Sequence, residues 1–86
     1  MRDEEEITAA EDELSDRVWH ERHLTLMGQR PERTDVEAAE RAANAIRQEL
    51  GEGKLGPYTD FEWGELNGKL SALRWVLGAE WDSLDT

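Results

Sequence analysis

The stretch from Tyr58 to Leu77, YTDFEWGELNGKLSALRWVL, constrains this chain more than any other part of it. Trp63, Leu66, Leu70, Leu73 and Leu77 advance in alternating steps of three and four. That spacing predicts one continuous apolar stripe along a helix. Thr59 at the N-cap puts Glu62 three residues on, where hydroxyl and carboxylate can each satisfy a free backbone donor of the first turn. Tyr58 and Trp63 have the spacing of a hydrophobic staple, and Gly78 is the expected C-terminal stop. A second line, Gly64, Gly68 and Ala72, advances by four and offers almost no side chain. Each helical glycine costs about 1 kcal/mol relative to alanine, so a close helix neighbour or a ligand is expected as compensation.

The same reading predicts a second helix over about 34–50. Thr34 and Glu37 repeat the capping-box spacing, and Val36, Ala39, Ala43, Ile46 and Leu50 continue by threes and fours. Ala38, Ala42 and Ala45 widen its small-residue face, which would complement the glycine line of the third helix. A first helix is expected over about 4–27. The cluster Asp3 to Glu6 suits the positive end of a helix dipole, and Ile7, Ala10, Leu14 and Val18 keep helical spacing. Beyond Val18 the stripe becomes irregular, and Gly28 followed by Pro31 ends it.

Eighty-six residues make one small domain, 1–86, with a frayed start over 1–6 and a last turn, 78–86, that folds back through Trp81 and Leu84. A core of this size supplies only about 3–5 kcal/mol unless something reinforces it. The chain has no cysteine, so disulfides and thiolate metal sites are excluded and oligomerisation is the remaining common reinforcement. The formal net charge of −11 argues against nucleic acid and anionic membranes as partners; it suits a protein with a basic surface, and equally serves solubility or reflects a salty or high-GC host. The acidic start MRDEEE, where a secretory signal would be basic, and the absence of a long apolar run lead to a cytoplasmic expectation.

The segment from Phe61 to Thr86, above all GKLSALRWVLGAEWDSLDT, resembles the ending of a family of short bacterial and tailed-phage proteins. The resemblance covers about the last third of the chain. It implies that the C-terminal helix and its tail form a unit in a phage or prophage setting, and it brings no established activity. Ala79 stands where an acidic residue would be expected in that pattern.

The candidate chemistry is thin. His20 and His23, with Asp16 upstream, lack further ligands from a second element, so they read as surface or partly buried histidines, and neither metal nor cofactor is expected. The pairs Glu37/Glu40, Glu49/Glu52 and Glu62/Glu65 resemble the magnesium-holding carboxylates of MazG-type nucleotide pyrophosphohydrolases. Antiparallel helices would, however, hold Glu37/Glu40 and Glu62/Glu65 at opposite ends of the bundle, so no catalytic residue is assigned. Trp75 continues the glycine line, with Asn67, Ser71 and Arg74 on a neighbouring face. Gly64, Asn67, Gly68, Ser71, Arg74, Trp75 and Trp81 therefore form the expected interface or ligand groove.

The expected fold is all-α, three helices built on an antiparallel hairpin of helices 34–50 and 60–77. Two apolar stripes plus Trp19, Trp75 and Trp81 crowd a chain of this length, which favours a homo-oligomer. The expected function is a non-enzymatic binding protein, phage-associated, that inhibits a host protein by nucleic-acid mimicry. Glu4, Glu5, Glu6, Glu11, Asp12 and Glu13 would carry it. The alternatives are a purely structural oligomeric module and a nucleotide binder using the Trp75/Arg74 groove.

Overall fold

The computed structural model describes residues 1–28 and 36–80. Among these residues the fold is all-helical, with three α-helices: α1 (Glu4–Gly28), α2 (Val36–Leu50) and α3 (Asp60–Val76). A short 3-10 turn, Glu52–Lys54, lies between α2 and α3. The capping role of Thr34 and the fold-back of Trp81 and Leu84 fall outside the described residues.

Local signals set the helix ends. Asp3 Oδ1 accepts from the Glu6 backbone N–H at 2.9 Å, and Glu4, Glu5 and Glu6 place negative charge on the first turn of α1. The capping box of α3 is complete. Thr59 Oγ1 accepts from Glu62 N–H at 3.1 Å, while Glu62 Oε1 accepts from Thr59 N–H at 2.9 Å. Tyr58 and Trp63 form the staple, their ring centroids 6.1 Å apart. At the other end Gly78, at φ 110°, donates to Trp75 O, and Ala79 donates to Arg74 O. This pair of bonds is a Schellman closure, and it needs the left-handed backbone that glycine supplies without strain.

The core is small and lies between α1 and α3. Val18, Leu66 and Leu70 are buried together, with Leu14, Tyr58 and Trp63 packed around them. The loop before α3 is tied to α1 through Tyr58, whose hydroxyl donates to Lys54 O at 2.5 Å and accepts from Arg17 Nε at 3.4 Å. Gly56, at φ 69°, makes that approach possible: a Cβ there would meet the Tyr58 ring at 3.3 Å.

The expected hairpin of the second and third helices is corrected by the structure. Both α2 and α3 pack on α1, which lies between them, and among the described residues no comparable contact joins α2 to α3. Gly64 and Gly68 are exposed, with nothing described within 4 Å of a Cβ built on either, and Ala38, Ala42 and Ala45 are exposed too. The reason is energetic. A helix buries the face that removes most apolar area from water, and each buried leucine contributes about 1.5–3 kcal/mol where glycine contributes almost nothing. α3 therefore turns Leu66 and Leu70 to α1 and leaves its glycines outside. Among the described residues, no helix is long and apolar enough to cross a membrane.

Candidate functional site

The amino-terminal half of α1 displays a dense acidic surface. Glu4, Glu5, Glu6 and Asp12 are exposed, and among the described residues Arg2 offers them a counter-charge, at 2.9 Å from Glu6. Glu11 and Glu13, expected to act with them, are half-buried and engaged within the chain. Arg74 Nε on α3 donates to Glu11 Oε2 at 3.4 Å, while Glu13 meets Lys54 at 3.3 Å and Arg17 at 3.8 Å. The structure thus divides the acidic set into four outward carboxylates and two that brace the fold. Asp16 lies behind them, its carboxyl pushed above the ordinary aspartate range by burial and then by Glu49, Asp12 and Glu11.

The groove expected along α3 divides in a similar way. Arg74 reaches across to α1, donating to Ser15 Oγ at 3.2 Å as well as to Glu11, and Asn67 Nδ2 donates to Trp63 O at 2.8 Å. Ser71 is half-buried. Gly64, Gly68 and Trp75 lie on the outward side, with Trp75 48% exposed, and Trp81 is outside the described residues. Arg74 and Trp75 consequently do not converge on one slot. The outward face instead joins Phe61, 79% exposed, to Gly64, Gly68, Ala72 and Trp75 in a single row.

Between α1 and α2 the structure places two buried histidines, which corrects the expectation of surface or partly buried side chains. His20 and His23 are 3% and 4% exposed. His23 stacks on Trp19, centroids 5.0 Å apart and planes 8° from parallel, and its Nε2 lies 3.0 Å from Glu40 Oε1 on α2. Among the described residues neither ring nitrogen of His20 has a partner, and its pKa is lowered by burial first, then by the Arg47 guanidinium and by His23. A cleft of about 340 Å³ opens beside it, lined by Leu24, Arg47, Glu52, Leu55 and Pro57. The His20 nitrogens are nonetheless sealed off from solvent, so a molecule in the cleft does not reach them. Among the described residues no three metal-ligating side chains come together.

The histidine joint is the feature that pattern reading misses. Its signal is present, since Asp16, His20, His23 and Met27 step by four, three and four along one face of α1. The polar character of that line hides a packing face. The acidic pairs that resemble a pyrophosphohydrolase are dispersed: Glu40 is bound up with His23, Glu62 caps α3, and Glu65 pairs with Lys69 at 3.7 Å. Comparison of the chain with protein-family models, curated proteins and solved structures gave no match.

Proposed function

We propose that this protein is a non-enzymatic helical binding module that docks a basic partner protein on the acidic amino-terminal half of α1, competing there with nucleic acid. The observation that carries this reading is the crowding of carboxylates. Glu4, Glu5, Glu6 and Asp12 face outward with Arg2 beside them, and behind burial and Glu49, Asp12 is among the carboxylates that hold Asp16 above its ordinary pKa. A surface of one sign raises the encounter rate with an oppositely charged partner and loses that advantage as salt rises. The resemblance of the C-terminal segment supports a partner in a phage-infected or prophage-carrying host.

The test compares the intact protein with a variant carrying Glu4→Gln, Glu5→Gln, Glu6→Gln and Asp12→Asn together, each immobilised and exposed to host extract at low salt. The wild type is expected to retain a basic nucleic-acid-binding protein that salt elutes and that DNA displaces. The neutralised variant, with unchanged helicity, is expected to lose it. Equal retention by both proteins would overturn the reading.

The alternative of a structural oligomeric module draws support from a separate observation, the outward apolar row on α3. The nucleotide-groove reading draws less support, because Arg74 donates to Glu11 and Ser15 on α1.

A further inference from the structure

We infer that the outward face of α3 is the seat of a two-fold antiparallel contact with a second copy of this chain, its dyad at Gly68. This goes beyond the acidic surface and uses the opposite side of the molecule.

α3 carries apolar residues on both of its faces. At 3.6 residues per turn, Leu66 and Leu70 project toward α1, and Phe61, Gly64, Gly68, Ala72 and Trp75 fall about half a turn away. A helix that is apolar on two sides is ordinarily covered on two sides. Here one side is covered by α1, and the other has no described atom within 4 Å of where a Cβ on Gly64 or Gly68 would lie.

The row itself identifies a second copy as the occupant. Its members sit at 61, 64, 68, 72 and 75, so the steps read the same from either end about Gly68. Side-chain size follows the same symmetry, large at both ends and small between. An isologous interface requires a patch complementary to itself, in which residue i meets j and j meets i. Antiparallel pairing about Gly68 brings Phe61 opposite the other copy's Trp75 at each end, about 21 Å apart along the helix axis. Between those aromatic pairs Gly64 faces Ala72 and Gly68 faces itself, so the two backbones can close together.

Charge selects the same arrangement. Glu65 and Lys69 lie on one flank of the row, both exposed and 3.7 Å apart. In the antiparallel register each Glu65 stands within two residues, about 3 Å along the axis, of the other copy's Lys69. Parallel pairing would instead carry this flank to opposite sides of the contact in the two copies, so that Glu65 and the other copy's Lys69 would not meet. α1, with Glu4, Glu5, Glu6 and Asp12, packs on the far side of α3, so the acidic surfaces of the two copies stay apart. A contact along one 17-residue helix is short against the roughly 1,200–2,000 Å² of stable interfaces, so the dimer is reversible and its population rises with concentration.

The experiment is a solution-mass measurement on the intact protein, by light scattering or sedimentation, over micromolar to sub-millimolar concentration at low salt. The wild type should move from one chain toward two as concentration rises. Gly68→Leu, which fills the point of closest approach, should stay at one chain with helicity equal to or above that of the wild type. Lys69→Glu should weaken pairing about tenfold or more, and the exchanged pair Glu65→Lys with Lys69→Glu should return it to near the wild-type value. A one-chain mass for the wild type throughout would overturn the inference. So would a dimer that survives Gly68→Leu, or a loss on Lys69→Glu that the exchanged pair fails to recover.

Discussion

Arg74 on α3 donates to Glu11 on α1 at 3.4 Å and ties together two helices whose contact residues lie 63 positions apart in the chain. Both side chains are largely withdrawn from solvent, at 27% and 19% exposure, so water screens the pair less than it would on an open surface. With Ser15 also accepting from the guanidinium, Arg74→Ala is expected to cost about 1–2 kcal/mol. Glu11→Gln should cost less. Urea denaturation of both single variants and the double would measure the coupling, and additive losses would show that the two side chains act independently.

The glycines of α3 separate the observed packing from the hairpin read in the sequence. Because a Cβ on Gly64 meets no described atom, Gly64→Ala should stabilise the monomer by about 0.5–1 kcal/mol through helix propensity alone. Had α2 lain over that face, the added methyl would have forced the helices apart and the sign would be reversed. Leu70→Ala is the opposite case. Leu70 is fully buried, and truncation is expected to cost about 2–5 kcal/mol, much of the stability such a domain possesses. Thermal melts at dilute protein would read both.

The start of α3 offers a third prediction. In spacing, Glu62 and Glu65 resemble the paired carboxylates of a metal-dependent hydrolase, yet Glu62 Oε1 accepts from Thr59 N–H at 2.9 Å. Thr59→Ala should cost about 0.5–2 kcal/mol of stability, with the loss of helicity concentrated at the start of α3. Hydrogen exchange would locate it, and unaltered protection of Glu62 and Trp63 amides would contradict the assignment.

How far the sequence can be read depends on the range of the interaction concerned. α3 is legible to within a residue, because Thr59, Glu62, Tyr58, Trp63 and Gly78 act on neighbours only a few positions away. The arrangement of the helices is not. Periodicity assumes one buried stripe per helix, whereas α1 has two: Leu14 and Val18 toward α3, and His20 and His23 toward α2. The second is polar, so hydropathy gives no sign of it. The glycine and alanine lines do form smooth faces, but smoothness permits close approach without driving it. Leu66 and Leu70 carry the larger free energy and decide which face α3 presents to α1. Of the acidic set, only the tertiary structure distinguishes Glu4, Glu5, Glu6 and Asp12 from Glu11 and Glu13, because Arg74 and Lys54 come from distant parts of the chain.

His20 gives the last prediction, and its sign follows from burial. The ring is closed off from water, with both nitrogens unpartnered among the described residues and the cationic Arg47 nearby, so burial holds its folded-state pKa below the ordinary histidine value of 6.5. The unfolded chain takes up a proton near that value, while the folded chain does so only at lower pH. Between the two values the unfolded state binds more protons, so stability falls as pH drops through 6.5 and the fall ends once the folded form is protonated too. Asp16 acts in the opposite sense further down. Its folded pKa lies above 3.8, so ionisation is a burden at neutral pH that is relieved as acid protonates it. Denaturant midpoints measured from pH 8 to pH 5 should therefore decline for the wild type, with the α1–α2 contact loosening first. The decline should flatten in His20→Phe, which keeps the ring volume and removes the proton site. Hydrogen exchange on α2 at pH 5 distinguishes a local loosening of this joint from general acid destabilisation: α2 amides lose protection in the wild type and keep it in His20→Phe, while Leu66 and Leu70 stay protected in both.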